Sequence, residues 1–494
     1  MSSRATAYPI WNRFLPAPGS RLPLREQLVS FLRKGVADGT LQAGVRLPAS
    51  RVLAQELKLS RITVSGAYEQ LIAEGFLEAR QGSGTFVVAP PGHEATLPEL
   101  SASRRRRNPG SMRARRLAGP DSMSMAHADW PLTPGLPALD AFPYALWGRL
   151  EGRFWRRRPP PDLSYGDPQG FLPLREALAE YLGAARGVVC RPQHIVITPG
   201  AQAAVSIAAL ALTDIGDRVW LENPGYDAAY RSLVLAGARV VGIRVDGEGL
   251  DVREGRRRAP DARLAMVSPS HQYPLGGTMS LARRLALLQW ASEADAFVVE
   301  DDYDSEFRYE GISKPALKAL DGGNGRVLYV GTLSKLLVPG LRLGFLVAPD
   351  DLVDTLRTVR TGTDHRVPSP LQATAAEFIG NGHLGTHIRR VRTLYAERRA
   401  ALLTAIESEG GGLLSVSTAA AGLHLLAELP DHFDDRSLAA AAREKRIGVT
   451  PLSGYFVETP KKKQQGLLMG FGNTPARSMR GAIRMLRGLM SMKK

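Results

Sequence analysis

The sequence predicts an α/β protein with a small N-terminal domain of helices and one hairpin, followed by a much larger domain with a mainly parallel sheet. Three observations predict this architecture. The length of 494 residues exceeds what one ordinary hydrophobic core occupies. Residues 21–88 show short amphipathic helices and a hairpin signal. From about residue 131 onward, short continuous apolar runs alternate with long helical stretches, which is typical of a parallel sheet covered on both faces.

The composition indicates a globular protein, with 44% hydrophobic and 23% charged residues. No apolar run approaches the roughly 20 residues of a membrane helix, and residues 1–20 lack the layout of a signal peptide. The single cysteine, Cys190, cannot form an intrachain disulfide, which agrees with a reducing compartment. We therefore expect a cytoplasmic protein with no membrane partner. No cysteine or histidine cluster has metal-ligand spacing, so we predict no metal site.

Positive charge is concentrated at the N-terminal end of the chain. The net charge is +16, and residues 1–120 hold 18 Lys and Arg against 8 Asp and Glu, a balance of +10. A polyanion is a plausible partner for this end because neutralised phosphates release their counterions. On charge alone, a basic solvated surface is the alternative.

Residues 21–88 predict three helices and a β-hairpin. The first helix carries an apolar stripe, and the second and third are placed so that Ser50 and Ser60 cap their N-termini. Only two residues separate those two helices. Two short strands follow, 76–79 and 85–88, and the glycine-containing segment between them suits a hairpin turn.

Two helices with a tight turn, followed by a hairpin, form a winged helix-turn-helix, in which the second helix of the pair enters the major groove of double-stranded DNA. The start of that helix would face the bases, a basic residue of the preceding helix would hold a phosphate, and the hairpin tip would approach the backbone or the minor groove. The predicted DNA contacts are Arg51, Ser60, Arg61, Thr63, Ser65, Gln81 and Gly82.

Four segments of this block resemble the GntR family of bacterial regulators: LPASR at 47–51, SRITV at 60–64, AYEQL at 67–71 and GSGTFV at 82–87. By that resemblance, the typical DNA contacts of the family match Arg51, Arg61, Thr63 and Gly82. The resemblance spans the whole predicted domain.

The next segment, 89–130, is rich in Pro, Gly, Ser and Arg and has no apolar periodicity. It includes four consecutive arginines at 104–107. We interpret it as a flexible basic linker because it has too little apolar surface to offset the entropy of ordering. An inert tether and a direct contact with DNA are both open. Residues 1–20 are an N-terminal extension, and 131–494 form the large domain.

In the large domain, a lysine follows one of the predicted strands. The segment GTLSK, 331–335, lies between a predicted strand and Arg342. A lysine amine at a strand end, beside hydroxyl groups and an arginine, can form a Schiff base with an aldehyde cofactor whose phosphate is bound nearby. We therefore predict Lys335 as the reactive residue, with Thr332, Ser334 and Arg342 around the phosphate. The predicted strands are 195–198, 219–221, 264–267, 296–299, 327–330 and 343–347.

The segment EDDY, 300–303, ends the predicted strand 296–299. A carboxylate there, Asp301, could keep the pyridine nitrogen of pyridoxal 5'-phosphate (PLP) protonated, and Tyr303 could donate to the ring oxygen. Calcium is the rival, because acidic residues alternate as in an EF-hand loop. The sixth and twelfth positions of that loop are not the required Gly and Glu, so we reject calcium.

Two further strand ends carry suitable residues. Gly200, Ala201 and Gln202 lie between a predicted strand and a helix, where backbone amides bind phosphate. Tyr226 closes another strand and could stack on the cofactor ring. Because strand ends of an open α/β sheet meet in one crevice, these groups are expected to converge.

Together these segments resemble the fold-type I, PLP-dependent aminotransferases over nearly all of 131–494. The resemblance implies a mainly parallel central sheet and a smaller C-terminal α+β subdomain. It matches Lys335 to the Schiff-base lysine, Asp301 to the partner of the pyridine nitrogen and Tyr303 to the ring-oxygen donor. It also matches further positions to the phosphate cup and the ring wall: Gly200, Ala201, Gln202, Thr332, Ser334, Arg342 and Tyr226. Tyr273 stands where these enzymes usually keep an Asn.

Both halves combined resemble the MocR subfamily of GntR regulators, on the motifs YGDP at 165–168, SHQYPLG at 270–276, EDDYDSEF at 300–307 and HIRR at 387–390. The resemblance implies a homodimer in which each DNA-binding domain packs on the partner's large domain. It also implies a PLP-dependent transcription regulator that senses a small molecule, either an amino compound or PLP itself, and alters promoter binding.

An aminotransferase with an accessory DNA-binding domain is the alternative, since the lysine and its partners are retained. Aminotransferases commonly clamp the substrate carboxylate with an Arg near the C-terminus, and Leu468 occupies the matching position here. Leucine cannot replace that charge, which favours the regulator, although Arg366 could compensate.

Overall fold

The computed structural model shows two compact units, residues 1–109 and 110–494. Most of the predicted N-terminal extension and most of the predicted linker lie outside the described residues. The structure describes residues 11, 13–16, 20, 22–88, 110–117, 129–157, 164–311, 314–363, 366–416, 421–460 and 464–491.

In its described part, the N-terminal unit consists of three helices followed by a two-stranded antiparallel sheet. Their bounds are α1 Leu24–Ala37, α2 Ser50–Glu56, α3 Arg61–Ala73, β1 Leu77–Arg80 and β2 Gly84–Val87. The predicted order of elements is confirmed. Each hairpin strand lies one residue closer to the turn than predicted, because Arg80 pairs with Gly84 and leaves a turn of only 81–83.

One small core holds this unit together. Leu28 and Leu32 of α1, Leu53 of α2 and Val64 of α3 are all completely buried and pack against one another. The Tyr68 hydroxyl of α3 donates to the Pro48 carbonyl at 3.0 Å, which ties α3 to the segment that precedes α2. Burial of this apolar side-chain surface is the main stabilising contribution.

The two serine caps predicted from the sequence have different outcomes. Ser60 does cap α3, because its Oγ accepts a hydrogen bond from the Thr63 backbone N–H at 3.0 Å. Ser50 does not cap α2. The helix starts one residue earlier than predicted, so Ser50 lies inside its first turn and the capping position falls to Ala49, whose side chain has no acceptor.

We expect Ser60→Ala to lower the free energy of unfolding of the N-terminal unit by about 1 kcal/mol, the typical loss for a capping serine. Ser50→Ala is the matched control and should change it by less than half as much, since Ser50 makes no cap hydrogen bond. Thermal unfolding of the full chain, followed by circular dichroism, measures both. Equal effects of the two substitutions would contradict the assignment.

The described part of the C-terminal unit contains an eight-stranded sheet. The bounds of its strands are β3 Ile195–Thr198, β4 Arg218–Asn223, β5 Arg239–Asp246, β6 Gly249–Leu250, β7 Leu264–Val267, β8 Phe297–Asp302, β9 Val327–Thr332 and β10 Gly344–Val347. Their order in the sheet is β3-β10-β9-β8-β7-β4-β5-β6. Strands β5, β4, β7, β8 and β9 are parallel to one another, whereas β10 is antiparallel to both β9 and β3. The predicted mainly parallel sheet is therefore confirmed.

A second, antiparallel sheet follows. The bounds of its strands are β11 Ser415–Val416, β12 His424–Glu428, β13 Thr450–Pro451 and β14 Gly466–Gly470, and their order is β11-β12-β14-β13. Leu425 of β12 and Met469 of β14 point to the main core of this unit. Leu426 and Leu468, which alternate with them, point to the opposite face and pack with Leu452.

Helices cover both sheets of the C-terminal unit. They are α4 Met112–Leu117, α5 Tyr144–Arg157, α6 Leu172–Arg186, α7 Ala201–Leu212, α8 Asp227–Ala236, α9 Val252–Arg258, α10 Leu281–Glu293, α11 Leu317–Leu320, α12 Val353–Thr363, α13 Ser369–Gly380, α14 His383–Glu409, α15 Asp435–Glu444 and α16 Ala476–Ser491. Among the described residues, we find no helix with the length and apolar character that crossing a membrane requires.

Helix α4 lies within the segment predicted as a flexible linker. Its Arg113 donates to the Leu235 carbonyl of α8 at 2.9 Å, and Arg231 of α8 donates to the Leu117 carbonyl at 3.1 Å. These contacts attach the described part of that segment to the C-terminal unit. These hydrogen bonds could not be predicted from the local sequence pattern because they join residues more than 110 positions apart.

Candidate cofactor site and nucleic-acid interface

The four strands that precede the predicted cofactor residues end at the same edge of the large sheet. Strands β4, β8 and β9 run parallel, and β3 has the same direction because β10 is antiparallel to both β3 and β9. Tyr226, Lys335 and Gly200 follow β4, β9 and β3, whereas Asp301 is the penultimate residue of β8 and Tyr303 directly follows that strand. The structure therefore brings the predicted residues to one crevice, as expected for an open α/β sheet.

The amine of Lys335 lies inside this crevice. Its Nζ donates to the carbonyl of Gly135, and a Cβ added to Gly135 would stand only 3.1 Å from Nζ. Burial lowers the pKa of Lys335, while the nearby carboxylates of Asp304 and Asp301 oppose that change. A lowered pKa raises the fraction of neutral amine, which is the form that attacks an aldehyde.

Asp301 has a buried oxygen that needs a donor. The residue is 4% exposed, and its Oδ1 has no hydrogen-bond partner among the described residues. Burial, reinforced by Asp302, raises the pKa of Asp301 to about 7. Because an unpaired buried carboxylate is costly, the site fits a ligand with a protonated ring nitrogen, which would donate to this oxygen.

A cradle for an anion lies at the start of α7. Gly200 has φ +98° and precedes the first helical residue, and the helix start has no side-chain cap. A Cβ added to Gly200 would lie 3.6 Å from the guanidinium carbon of Arg342. The free backbone N–H groups and this guanidinium are suited to a phosphate. Beside them, the Thr332 hydroxyl accepts from the Ser334 backbone N–H at 3.1 Å.

Aromatic rings form the wall of the crevice. Tyr273 stands edge to face with Tyr226 and with Tyr303, each pair at 5.9 Å between ring centroids. Its hydroxyl is 2.9 Å from that of Tyr455. Burial raises the pKa of Tyr455 to about 12. The sequence did not single out Tyr455, which lies 182 positions from Tyr273.

The sequence analysis did not predict several residues that the structure places at the site. His271 and Asp304 lie in the motifs 270–276 and 300–307, but nothing in the pattern shows that they hydrogen-bond to each other. His424, on β12, stands 5.1 Å from the His271 ring. His271, Asp304 and His424 also bring potential ligand atoms within 4.8 Å of one another.

The position predicted to lack the carboxylate clamp is apolar in the structure. Leu468 is fully buried and packs with Leu426 and Leu452, against which Tyr273 and Tyr455 are placed. Arg366, which could compensate, lies elsewhere. It stands over the Tyr165 ring at 5.9 Å and lines a separate cavity of about 660 Å³ that does not include Lys335.

In the N-terminal unit, the predicted DNA contacts lie in the first turns of α2 and α3 and at the hairpin tip, and most of them are exposed. Arg61 opens α3 and Arg51 lies in the first turn of α2, and both are exposed. At the hairpin tip, Gln81 and Gly82 are exposed, and Gly82 has φ +73°. Ser65 is half-buried, and the hydroxyls of the remaining two, Ser60 and Thr63, are 2.7 Å apart at the helix cap.

Two arginines of the hairpin region extend this basic surface and were not predicted. The Arg46 side chain lies beside the Gly84 backbone, where an added Cβ would stand 2.8 Å from its Nε. The Arg80 guanidinium lies 4.7 Å from the Phe86 ring centroid. Basic groups at a hairpin tip are suited to the phosphate backbone of DNA.

Comparison with known proteins agrees with both halves. The model for bacterial regulatory proteins of the gntR family matches residues 17–87, and the model for aminotransferase class I and II matches 157–462. A solved structure of LysN, an α-aminoadipate aminotransferase from Thermus thermophilus complexed with N-(5'-phosphopyridoxyl)-L-leucine, is 28% identical, with a TM-score of 0.70. That match covers 78% of this chain and 98% of LysN.

Full-length relatives are regulators. The protein named "Probable rhizopine catabolism regulatory protein MocR", from Rhizobium meliloti, is 39% identical over 94% of this chain and 93% of its own length. The "HTH-type pyridoxine biosynthesis transcriptional regulator PdxR" of Corynebacterium glutamicum is 31% identical over 92% of this chain and 94% of its own.

These findings define the class of protein: a PLP-dependent transcription regulator, with a helix-turn-helix domain joined to an aminotransferase-like domain. Its cofactor is PLP, which the free oxygen of Asp301 and the anion cradle both fit. Within that class, the chain belongs to the MocR subfamily of GntR regulators.

The raised pKa of Asp301 predicts a pH dependence in the cofactor-free protein. The folded pKa of about 7 exceeds the unfolded value of about 3.9, so the folded state binds more protons between these values. Stability should therefore fall as pH rises from about 4 to about 7. Asp301→Asn should reduce that fall by on the order of 1 kcal/mol or more, leaving contributions in the same direction from Glu222 and Glu300.

Urea unfolding of the cofactor-free protein across this pH range measures the effect. The exposed Asp431→Asn is the control and should keep the wild-type dependence. Saturating PLP should also weaken the dependence in the wild-type protein, because a protonated ring nitrogen lowers the pKa of the carboxyl group that it faces. An Asp301→Asn profile identical to wild type would refute the assignment of this pKa.

Proposed function

We propose that PLP bound at Lys335 is the sensing element of this regulator, and that the state of the site alters promoter binding by the winged helix. The observation that carries the proposal is the amine of Lys335 in one crevice with the donor-free oxygen of Asp301. When bound, PLP supplies an aldehyde that reacts reversibly with amines. Lys335 would hold the aldehyde carbon, and Asp301 would hold the proton of the ring nitrogen.

The remaining residues would fix the cofactor's position. The N–H groups of Ala201 and Gln202, together with Arg342, would hold the phosphate against the backbone of Gly200, whose own N–H donates to the Thr198 carbonyl, with the Thr332 and Ser334 hydroxyls beside it. The aromatic residues would keep water from the ring. Tyr226 would stack on the ring, Tyr303 would donate to its ring oxygen, and Tyr273 would close the side next to the small sheet.

The effector belongs to the same site. A small molecule can shift the regulator only if it binds one arrangement of the protein more tightly than another. The buried face formed by Leu426, Leu452 and Leu468 offers no cation for an α-carboxylate, and burying a carboxylate without a charged partner is costly. We therefore favour PLP itself, or an amino compound other than an ordinary α-amino acid, as the effector.

On DNA, the proposed regulator is a homodimer that acts in the cytoplasm. Two winged helices related by twofold symmetry would read two half-sites whose spacing the dimer sets. Arg61, Thr63 and Ser65 would face the bases, with Ser60 fixing the start of the helix. Arg51, Gln81 and Gly82 would contact the backbone or the minor groove.

An aminotransferase remains the second candidate function, because Lys335 and Asp301 are both retained. The apolar surroundings of Leu468 disfavour it, since a bidentate clamp for a substrate carboxylate is lost there. Efficient multiple turnover of an amino donor, without any specific complex with promoter DNA, would favour the enzyme over the regulator.

We expect Lys335→Ala to abolish the visible absorbance of the purified protein with PLP, because the covalent link to the cofactor is lost. Binding to a promoter fragment should also lose its response to added PLP. Lys318→Ala is the matched control. Nζ of Lys318 lies 3.6 Å from Oδ2 of Asp321, with which it pairs outside the crevice. An unchanged spectrum in Lys335→Ala would rule out Lys335 as the link.

We expect Arg61→Ala to weaken promoter binding by about 1–3 kcal/mol, roughly fivefold to over a hundredfold, as for loss of a base contact. Arg33→Ala is the matched control, because Arg33 pairs with Glu74 just beyond the other end of α3. Fluorescence anisotropy with a labelled promoter fragment at fixed salt measures both. Full affinity in Arg61→Ala would show that α3 does not read the DNA.

A further inference from the structure

A buried histidine next to Tyr303 has oxygen partners on two residues but only one nitrogen facing them. The Nδ1 atom of His271 lies 2.9 Å from Oδ1 and 3.1 Å from Oδ2 of Asp304. The Tyr303 hydroxyl oxygen lies 2.9 Å from the same nitrogen. The side chains of His271 and Asp304 are each only 1% exposed, so water does not compete for these bonds.

Packing holds the imidazole of His271 in this orientation. A side chain on Gly422 would overlap the ring, and Gly422 has φ +87°, a conformation that favours glycine. His424 packs on the ring from β12, and burial lowers the pKa of His424 to about 3, so it stays neutral. The titratable groups that face His271 are thus Asp304, Tyr303 and His424, and the charge of Lys335 acts on His424.

The geometry decides where the hydrogen atoms are. A carboxylate can only accept, so its bond with His271 requires a hydrogen on Nδ1. A nitrogen that carries this hydrogen cannot accept a second one from Tyr303. The Tyr303 oxygen therefore shares the Nδ1–H, and its own hydrogen is free to point elsewhere. Burial raises the pKa of Tyr303, so the hydroxyl keeps that hydrogen.

We propose that His271, oriented by Asp304, is a positioning residue that commits the Tyr303 hydroxyl to donate to the ring oxygen of PLP. This rests on the role of Tyr303 in the proposed function. Without the histidine, the hydroxyl could rotate and its hydrogen could turn away from the cofactor. His271 would act through Tyr303 and not on PLP itself.

A metal ion is the other way to use this cluster, since His271, Asp304 and His424 offer nearby ligand atoms. Hydrogen bonds already engage most of these ligand atoms, although Nε2 of His271 has no partner among the described residues. The Nδ1–H of His271 is engaged with Asp304, and His424 Nε2 lies 3.2 Å from the Pro274 carbonyl, an arrangement in which it donates. A dialysed protein treated with a chelator should therefore show the same spectrum and pH profile as the untreated one.

The test uses the full chain loaded with PLP and follows its visible absorbance against pH. A donor to the ring oxygen weakens the hold of that oxygen on the proton at the lysine linkage, so its loss raises the pH at which this proton leaves. We expect Tyr303→Phe to raise the midpoint by about one unit, a tenfold change in the equilibrium. His271→Leu should raise it in the same direction by at least half as much.

Two controls separate positioning from a general structural effect. His271→Asn keeps an N–H donor close to the place of Nδ1 and should restore the wild-type midpoint to within about 0.2 units. In the Tyr303→Phe background, His271→Leu should cause no further shift, because the group through which it acts is gone. His271→Met, which also removes the N–H donor but leaves the charge of Asp304 in place, supplies a second route if His271→Leu does not fold, and should raise the midpoint too.

The outcomes distinguish this inference from the proposed function. If Tyr303→Phe shifts the midpoint but His271→Leu and His271→Met do not, the role of Tyr303 stands and the positioning role is overturned. Additive shifts of Tyr303→Phe and His271→Leu overturn it as well. If Tyr303→Phe shifts nothing, both fail. A profile that changes with the chelator assigns the cluster to a metal and overturns the inference.

Discussion

The donor-free oxygen of Asp301 is the constraint on which the cofactor site depends. The acidic residues around it each have partners. Glu300 accepts from the first two backbone N–H groups of α11, Asp302 pairs with Arg186 at 2.7 Å, and Asp304 bonds a histidine. Oδ1 of Asp302 also lacks a partner among the described residues, but Oδ2 of Asp302 is paired with Arg186, whereas Oδ1 of Asp301 is directed into the crevice. Side chains of a strand alternate between its two faces. Asp301 therefore faces the crevice, while its neighbours in β8, Glu300 and Asp302, face the other side of the sheet.

This arrangement makes the cofactor part of the folded structure. A buried carboxyl without a donor raises the free energy of the empty protein, and a ligand that supplies the donor lowers it. Because PLP would bind only the folded site, occupancy stabilises the fold by mass action. The crevice is bounded by the large sheet on one side and, through His424 and Tyr455, by the small sheet on the other. Residues of both sheets would therefore contact a ligand in the crevice.

Much of this site could be predicted from the sequence because parallel strands bring their carboxyl ends to one edge. Lys335, Asp301 and Gly200 each follow an apolar run, and strands β3 and β7 have the predicted bounds. What local pattern could not show is contact across the fold. His424 and Tyr455 lie more than 120 positions beyond Asp301 and reach the crevice only because β12 and β13 lie in the second sheet.

The N-terminal unit shows the same limit at a smaller scale. Ser50 and Ser60 both precede apolar helical stripes, yet only Ser60 has extended backbone before a helix. A difference of one residue in where the helix begins decides whether a serine caps it.

Leu468 bears on whether the proposed reactive lysine would be enough for efficient transamination. Turnover requires that the substrate be held so that its reacting bond is aligned, and a carboxylate held by an arginine fork supplies that alignment. Here the corresponding face is filled by Leu426, Leu452 and Leu468, which pack tightly and leave no charge. A ligand could still bind at the Lys335 end of the crevice without being aligned for transfer. Such a site would retain reversible binding without efficient turnover, which suits a regulator.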